Sequence, residues 1–400
     1  MRRALVGLIG ISIVGLAVLA GAQIGALGST GAVSATASLG ASSASPTVLP
    51  TAAPTLAPPT QPPPTPTPTP QLVPAPLTGL PVTPEAAGRH PIAVMVDDHA
   101  GARPQTGFNA ASIVWHAPAE GGVPRYMLVF QDEVPGDVGP IRSARQYYVE
   151  WAAEWNALYV HHGGSPQALD TLLRKGSGQL VYNADGFRWE GRFVFRVKER
   201  LAPHNVMTDG EHLRKLAARV GAEDGLLVPA WSFAADAPFE LRPTGGSIAV
   251  TYPYEKVTYR YDPLTNTYPR YIDSSKTPQV DAGDGQVVAP KNVVILRMFF
   301  GALNDGHPNK HRLEAHNIGT GEAWIATNGH TVKGTWSKAS ATAPTLLFGP
   351  DGEPITLTAG QTFMQVLPLA YPFKIRDGLL PGEEPPPGPS SSAQASANPS

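Results

Sequence analysis

Cysteine is absent from this chain of 400 residues. Its absence excludes disulfide bonds, zinc sites built from thiolates and catalysis by a thiol nucleophile. Runs of like charge are also missing. The 30 basic and 32 acidic residues give a net charge of −2, and no Lys/Arg cluster is long enough to indicate a nucleic-acid interface. We therefore expect no nucleic-acid partner.

Signatures of metal chemistry are missing as well. The sequence has no HExxH motif, no EF-hand loop and no close His-x-His pair. Candidate ligands are scattered, mostly near predicted strand ends, and scattered histidines are more often hydrogen-bonded structural residues. We expect no metal and no cofactor. The candidate ligands are Asp97, Asp98, His99, His116, Glu120, His161, His162 and His204.

The N-terminus carries a long apolar run, Ala4–Leu27, directly after Arg2 and Arg3. The tripeptide that begins at Ala20 fits the cleavage site of a secretory signal peptide. The run also exceeds the roughly 20 residues that span a bilayer, so an uncleaved membrane anchor is an equally good interpretation. Residues 1–27 are thus predicted to be a signal peptide or membrane anchor, with the following chain outside the cytoplasm.

Low-complexity segments flank the part of the chain that can fold. Residues 28–75 are rich in Ser, Ala, Pro and Thr, including the sequence PPPTPTPTP at Pro62–Pro70. Such a segment favours extended polyproline II and predicts a disordered stalk. Residues 378–400 are predicted to be a disordered tail on the same grounds.

The region 76–225 alternates between predicted strands and helices. The apolar runs Ile92–Val96, Ser112–His116 and Arg125–Gln131 are typical of buried strands. Helices are predicted after Ser143 and Ser165, and over about Asp209–Val220 with a capping box at Thr208. Strands that alternate with helices indicate a layered α/β domain.

Short β-type runs separated by Gly, Asn, Asp and Pro fill the region 226–377. Asn328-Gly329 is a strong signal for a two-residue hairpin turn. No convincing helical pattern is present. The predicted fold class is therefore α+β overall, with a layered α/β N-terminal domain followed by a β-rich C-terminal domain.

Several motifs resemble one known family, in order along nearly the whole folded region. They are PLTGLPV (76–82), ARPQTG (102–107), EGGVPRY (120–126), GPIRSAR (139–145), HHGGSPQA (161–168), APHNV (202–206), YDPLTNTY (261–268), KNVVI (291–295), GTGEAW (319–324) and KGTWSK (333–338). The chain resembles the YerB-like family of bacterial extracytoplasmic lipoproteins. The resemblance implies two domains and an envelope location, but no reaction. Typical members carry a lipobox cysteine that this chain lacks, so any anchor would be the apolar run.

Two predicted helix starts give the strongest indication of a ligand site. Ser143 with Gln146 matches a capping box, and Ser165 can cap a second helix. Arg142 and Arg145 at a helix start oppose the helix dipole, so they require a nearby anion. That anion is either internal or bound.

The internal candidates are Glu120, Asp97, Asp98 and Asp132. The alternative is a bound carboxylate or phosphate that also contacts the Gly163-Gly164 backbone. Internal pairing is favoured, since structural ion pairs are commoner than ligand sites. The residues of the candidate anion site are Arg142, Arg145, Gly163, Gly164, Ser165, Glu120 and His161.

Nucleophilic catalysis has weaker support in the sequence. Gly163-Gly164-Ser165 lies between a predicted strand and helix, but Gln167 occupies the last Gly position of G-x-S-x-G. A triad of Ser165 with His161 or His204 and Asp97 can be drawn, and so can an acid–base pair of Asp98 and Glu120. We assign no catalytic residue.

Aromatic residues mark the helix after Ser143. Tyr147, Trp151 and Trp155 recur every four residues, which predicts a buried helical face. Tyr148 faces away in this pattern and is the one aromatic residue that we consider for a surface contact.

Together these features predict an exported, membrane-tethered envelope protein, anchored to the membrane or secreted. The leading hypothesis is a non-enzymatic binding or scaffold module at the cell wall, whose partner is a cell-wall component or an envelope protein. The alternative is a hydrolase or transferase acting on a cell-envelope polymer, with Arg142, Arg145, His161 and Ser165 at its site.

Overall fold

Strands make up most of the regular structure, and the helices are few and short. The computed structural model describes residues 71–380 and 382–383. Its first strands are β1 (Val73–Pro74), β2 (Pro81–Val82), β3 (Ile92–Asp97), β4 (Ile113–Pro118), β5 (Pro124–Phe130), β6 (Asp137–Val138), β7 (Leu158–His161), β8 (Tyr182–Asp185), β9 (Phe195–Arg196) and β10 (Val206–Asp209). The helices are α1 (Pro84–Ala87), α2 (Gln146–Ala152), α3 (Pro166–Leu172), α4 (Gly186–Trp189) and α5 (Gly210–Val220).

Residues 221–377 contain strands, turns and short 3₁₀ segments, so the β-rich character predicted for this region is confirmed. The strands are β11 (Ser232–Ala234), β12 (Gly246–Tyr252), β13 (Glu255–Arg260), β14 (Arg270–Ile272), β15 (Asn292–Met298), β16 (Phe300–Ala302), β17 (Leu313–Ala315), β18 (Gly319–Thr327), β19 (His330–Lys338), β20 (Leu346–Phe348), β21 (Thr356–Thr358), β22 (Thr362–Pro368) and β23 (Phe373–Asp377). The fold as a whole is β-rich with a few helices.

One sheet of ten strands forms the centre of the fold, in the order β20-β19-β18-β15-β22-β4-β5-β3-β7-β8. Strand β22 pairs in parallel with β15 on one side and with β4 on the other, so both predicted domains contribute to this sheet. The domain boundary near residue 225 and the α/β layering of the first domain stay predictions. Strands β3, β7 and β8 run parallel, which places their carboxyl ends at one edge.

The two faces of the central sheet carry separate cores, because successive strand residues point to opposite sides. Val94 and Val96 of β3 belong to the core that also holds residues of α5 and of a four-stranded sheet, with the order β14-β13-β12-β23. Ala93 and Met95 belong to the opposite core, together with Trp151 of α2. Helix α2 and the four-stranded sheet therefore cover opposite faces.

The hairpin predicted at Asn328-Gly329 joins β18 to β19. Both residues have positive φ, 50° and 80°, as a type I′ turn requires. Thr327 pairs with His330 directly across the turn. This prediction is confirmed.

Helix α2 begins later than the capping box at Ser143 predicts. Its N-cap is Arg145, which makes no side-chain capping bond. Isolated bridges join Ile141 to Val96 and Ala144 to the glycine turn. These tertiary pairings keep residues 141–144 extended, so the prediction of a helix start at Ser143 is wrong.

The other caps are closer to expectation. Ser165 caps α3, with its Oγ accepting from Ala168 N–H at 3.4 Å, as predicted. The N-cap of α5 is Asp209 instead of Thr208, and its carboxylate accepts from His212 N–H at 2.9 Å. Serine and aspartate at these positions satisfy N–H groups of the first turn.

All four aromatic residues that the sequence singled out in this helix are buried. Tyr147, Trp151 and Trp155 lie in one core, as predicted. The prediction of a surface role for Tyr148 is wrong, because its side chain is fully buried and its hydroxyl donates to Ala117 O and Arg125 O. Helix α2 is therefore packed both on the side of Tyr147 and Trp151 and on the side of Tyr148. A pattern that marks one buried face does not reveal the second.

Some predictions concern residues outside the described part. The signal peptide or anchor, residues 1–27, lies there, as do residues 28–70 of the stalk. The predicted stalk ends too late, because Val73–Pro74 forms β1 and pairs with β2. Within residues 71–380 and 382–383, no helix combines the length and apolar character that crossing a membrane requires.

Candidate functional site

Two consecutive aspartates at the carboxyl end of β3 organise the candidate site. Asp97 Oδ2 lies 2.8 Å from Arg142 Nε and 2.6 Å from His204 Nδ1. Asp98 Oδ2 lies 2.7 Å from His116 Nε2. Because neighbouring side chains at a strand end point to opposite sides, the two carboxylates belong to two different clusters.

Two backbone segments, residues 142–144 and 162–164, form the wall of the cluster around Asp97. His162 N–H donates to Arg142 O at 3.0 Å, and Ala144 N–H donates to Gly163 O at 2.9 Å. Gly163 has a φ of 68°, a left-handed conformation that favours glycine. These contacts hold Arg142 beside Gly163 and Gly164, three residues that the sequence predicted to lie together.

A cleft of about 480 Å³ opens against these segments. None of its described lining residues is acidic. Glu190 lies just outside the lining, 2.8 Å from Arg196 Nε and 3.3 Å from His162 Nε2. The polar lining residues are Arg142, Ser143, His162, Gly163, Gly164 and Arg196.

Two residues that line the cleft have backbone amides without an acceptor among the described residues. In the described part of the chain, no protein atom accepts a hydrogen bond from the N–H of Ser143 or Gly164. Both residues are half-buried. Since backbone N–H groups in folded proteins are almost always paired with protein or water, these two half-buried donors are available to water or to a bound group.

Arg145 and Glu120 lie outside the cleft. The Arg145 guanidinium pairs with Glu120, whose second oxygen accepts from Arg125 Nη2 at 2.7 Å. Burial lowers the pKa of Arg145 to about 10, so this side chain stays charged at neutral pH. Asp97 and Glu120, two of the internal carboxylates that the sequence offered, are therefore the partners of Arg142 and Arg145.

His161 and Ser165 are buried and already hydrogen-bonded. The His161 ring lies with Nδ1 2.8 Å from Gly163 O and Nε2 2.9 Å from Asn183 Oδ1, and burial lowers its pKa. Ser165 acts as the N-cap of α3. No bond joins Ser165 Oγ to a histidine among the described residues, so the triad drawn from the sequence is not assembled.

The second cluster joins β3 to the four-stranded sheet. Arg103 Nη2 lies 3.2 Å from Asp98 Oδ1 and also contacts Glu255. Arg270 Nη2 lies 3.2 Å from Glu255 Oε1, and His116 completes the cluster. A pocket of about 360 Å³ opens onto Asp98, Arg103 and Glu255.

Burial sets the protonation of this cluster. Desolvation, followed by the nearby Asp98 carboxylate, raises the pKa of Glu255 to about 7. Desolvation also raises the pKa of Asp98 and, with help from Arg270, lowers the pKa of His116 to about 3. At neutral pH His116 is neutral and Glu255 is close to half-protonated. A carboxyl group in this state can both donate and accept a proton.

The family of the chain follows from comparison with known proteins. The model described as "Protein of unknown function (DUF3048) N-terminal domain" matches residues 77–223, and the model of the C-terminal domain of DUF3048 matches residues 248–364. The chain belongs to the DUF3048 family.

A relative named "Putative lipoprotein YerB", from Bacillus subtilis (strain 168), is 30% identical over 300 residues, which cover 74% of this chain and 86% of that protein. The crystal structure of the YerB protein from Bacillus subtilis is 26% identical, with a TM-score of 0.66, and the match covers 75% of this chain and 99% of that chain. The YerB-like resemblance indicated by the sequence motifs is confirmed.

The buried cluster of this DUF3048 chain contains a set of possible metal ligands. The ligand atoms of Asp98, His116 and Glu255 all lie within 4.8 Å of one another. However, Arg103 and Arg270 already pair with the two carboxylates. A cation at this position would have to displace the two guanidinium groups from the carboxyl oxygens.

The sequence reading of this family member missed Arg103, Glu255 and Arg270. A usable signal exists on β13 and β14, where Glu255 and Arg270 occupy buried positions. Glu255 is in phase with the buried Val257 and Tyr259, so it points inward. A charged residue at an inward strand position requires a partner, because burying an unpaired charge is costly.

Proposed function

We propose that this chain is an extracytoplasmic, envelope-associated binding protein that holds an anionic group in the cleft beside Arg142. The apolar N-terminal run and the lipoprotein name of the YerB relative support the location. The absence of an assembled triad among the described residues favours a non-enzymatic module whose partner is a cell-wall component or an envelope protein.

One observation carries the binding proposal: the cleft combines basic side chains with amides that have no acceptor among the described residues. Arg142, His162 and Arg196 supply the basic groups, and Ser143 and Gly164 supply the N–H donors. Backbone amides next to guanidinium groups are the donors that proteins use for phosphate and carboxylate oxygens.

The position of the cleft supports the same proposal. It lies beside the carboxyl ends of β3 and β7, which run parallel. If the α/β layering predicted for residues 76–225 holds, this is where open α/β sheets bind ligands. Its volume of about 480 Å³ is within the range of small-molecule pockets.

Calorimetric titration with inorganic phosphate and pyrophosphate tests the proposal. We expect Arg142→Gln and Arg196→Gln to weaken binding by at least about tenfold each, as loss of a charged hydrogen bond would. Arg192→Gln is the matched control, because Arg192 is exposed and outside the lining of the cleft. Urea unfolding of each variant separates lost binding from lost folding. Unchanged affinity in a folded Arg142→Gln variant would overturn the proposal.

A second candidate function rests on the pocket beside Glu255. An open pocket that contains two buried carboxyl groups, one with a pKa of about 7, is typical of general acid–base catalysis. Under this alternative the protein is a hydrolase or transferase acting on a cell-envelope polymer.

Incubation with isolated wall fragments tests the second candidate. Product release by the wild-type protein, lost in Glu255→Gln and retained in the exposed control Glu353→Gln, would support it. Absence of turnover by the folded wild-type protein would reject it.

A further inference from the structure

The outer face of the four-stranded sheet is basic. Alternation along β12 and β13 turns Ile248, Val250, Val257 and Tyr259 into the core. The opposite side of the sheet faces solvent. It carries a groove of about 430 Å³, which we call the cationic groove and define by Lys256, Arg260, Lys374 and Arg376.

These four cations are not neutralised by the protein. None of them forms an ion pair with a carboxylate in the described part of the chain, whereas Arg125, Arg142, Arg196 and Arg312 do. Asp273 is the one acidic residue among the described residues that line the groove, and its carboxylate lies 3.8 Å from Arg103 Nη1. The groove therefore has an uncompensated positive charge within a chain of net charge −2.

Strand register spreads the charges over the groove. Ser247 on β12 pairs with Arg260 on one side and with Arg376 on the other. Neighbouring strands lie about 4.8 Å apart, so the backbones of the two arginines are about 10 Å apart. Lys374 lies two residues before Arg376, about 7 Å along the strand. The basic side chains therefore start from backbone positions spread over about 10 Å across the strands and about 7 Å along them.

Hydroxyl groups lie between the cations. Ser247 and Thr258 line the groove on the same face, and Thr258 pairs with Tyr271 on the next strand. The Arg260 guanidinium stacks over the Tyr271 ring at 4.1 Å, which fixes its position. Hydroxyl groups and basic side chains are donors that proteins use for phosphate oxygens, of which each phosphate has several.

We propose that the cationic groove binds a linear polymer with repeating phosphate groups. Each phosphate contacts one or two of the four basic side chains, and the chain lies across β23, β12 and β13. A groove that crosses three strands suits an extended chain. This site is separate from the cleft beside Arg142, since the two share no lining residue.

Titration of the full chain with inorganic polyphosphate tests the proposal. We expect Lys374→Gln with Arg376→Gln to weaken binding roughly thirtyfold at low salt, taking about tenfold per 1.4 kcal/mol and about 1 kcal/mol per basic residue near an anionic surface. Lys256→Gln with Arg260→Gln should have a similar effect. The matched control is Arg174→Gln with Lys175→Gln, an exposed Arg/Lys pair elsewhere that loses the same charge.

Further probes decide the nature of the ligand. Orthophosphate and vesicles of phosphatidylglycerol should bind at least tenfold more weakly than polyphosphate, and rising salt should weaken polyphosphate binding steeply. Equal binding by poly-glutamate would overturn the assignment to phosphate, and preferred binding to vesicles would assign the groove to membranes.

The same titrations in the Arg142→Gln background remove any polyphosphate bound through the cleft. The roughly thirtyfold loss on Lys374→Gln with Arg376→Gln should persist in that background, so failure of the cleft proposal and failure of this one give different results. Equal loss of affinity in the Arg174/Lys175 control would show that net charge, and not the groove, controls binding.

Discussion

Glu255 gives a prediction on stability that can be worked through from the structure. Its carboxyl group is buried beside Asp98, and its pKa is raised from the ordinary value of 4.5 to about 7. The perturbation is Glu255→Gln, which keeps the size of the side chain and removes its titration. The substitution also alters the contacts with Arg103 and Arg270 at every pH. The informative quantity is therefore the difference in the free energy of unfolding between the variant and the wild-type protein, followed as a function of pH.

The sign follows from proton binding. Between about pH 4.5 and pH 7 the unfolded chain has released the Glu255 proton, while the folded protein still holds it. The free energy of unfolding of the wild-type protein therefore falls as pH rises through this window. One pKa unit corresponds to about 1.4 kcal/mol, so titration of Glu255 lowers the free energy of unfolding of the wild-type protein by about 3 kcal/mol across this window. The Glu255→Gln variant lacks this loss.

Urea unfolding followed by tryptophan fluorescence measures the effect, because the chain contains 7 tryptophans. From about pH 4.5 to pH 7.5, we expect the stability of Glu255→Gln relative to wild type to rise by about 3 kcal/mol. Glu353→Gln, the same change on an exposed loop, should show no such rise. A difference that stays flat or falls with pH would refute the reasoning, because it would mean that Arg103 and Arg270 keep Glu255 ionised.

Three further substitutions probe the packing of the fold by urea unfolding. Lys338→Met leaves the buried Glu154 without its partner at 3.1 Å and should lower the free energy of unfolding by about 3–5 kcal/mol. Adding Glu154→Leu should restore most of this loss, and no recovery in the double variant would contradict the reasoning. Gly334→Ala places a methyl group against the Phe348 carbonyl and should cost about 1–3 kcal/mol, whereas a neutral result would mean that β20 moves freely. Trp115→Ala removes a fully buried ring and should cost about 3–5 kcal/mol, and a loss below 1 kcal/mol would contradict the packing described.

Local sequence signals predicted local structure well. Ser165 before Pro166 gave a helix cap that the structure contains, and Asn328-Gly329 gave the hairpin turn. Both signals act within four residues, so their physical cause is present in the segment itself. The capping box at Ser143 failed because pairing with β3 and with the glycine turn outweighs a side-chain cap.

The candidate site was predicted in part. The sequence grouped Arg142 with Gly163 and Gly164 and named Asp97 as a possible partner. The structure places the three residues at one cleft and Asp97 beside Arg142, and their role as a binding site stays a prediction. It could not find the cluster around Glu255, because Asp98 and Glu255 are brought together by packing of the four-stranded sheet on the central sheet. No local pattern encodes that contact, and only the inward phase of Glu255 on its strand hints at it.

The position of β22 has a consequence for how the chain reaches its native state. Thr362 of β22 pairs with both Asn292 of β15 and Ile113 of β4. Strand β22 is synthesised after β4 and β15, and it joins the two sections of the sheet that contain them. During synthesis from the N-terminus, β4 is therefore complete long before β22 exists. Closing so long a loop is slow, and unpaired strand edges can associate with other chains meanwhile. Removal of the last strands would leave β4 and β15 as permanent open edges, so aggregation is the expected fate of a chain truncated before Thr362.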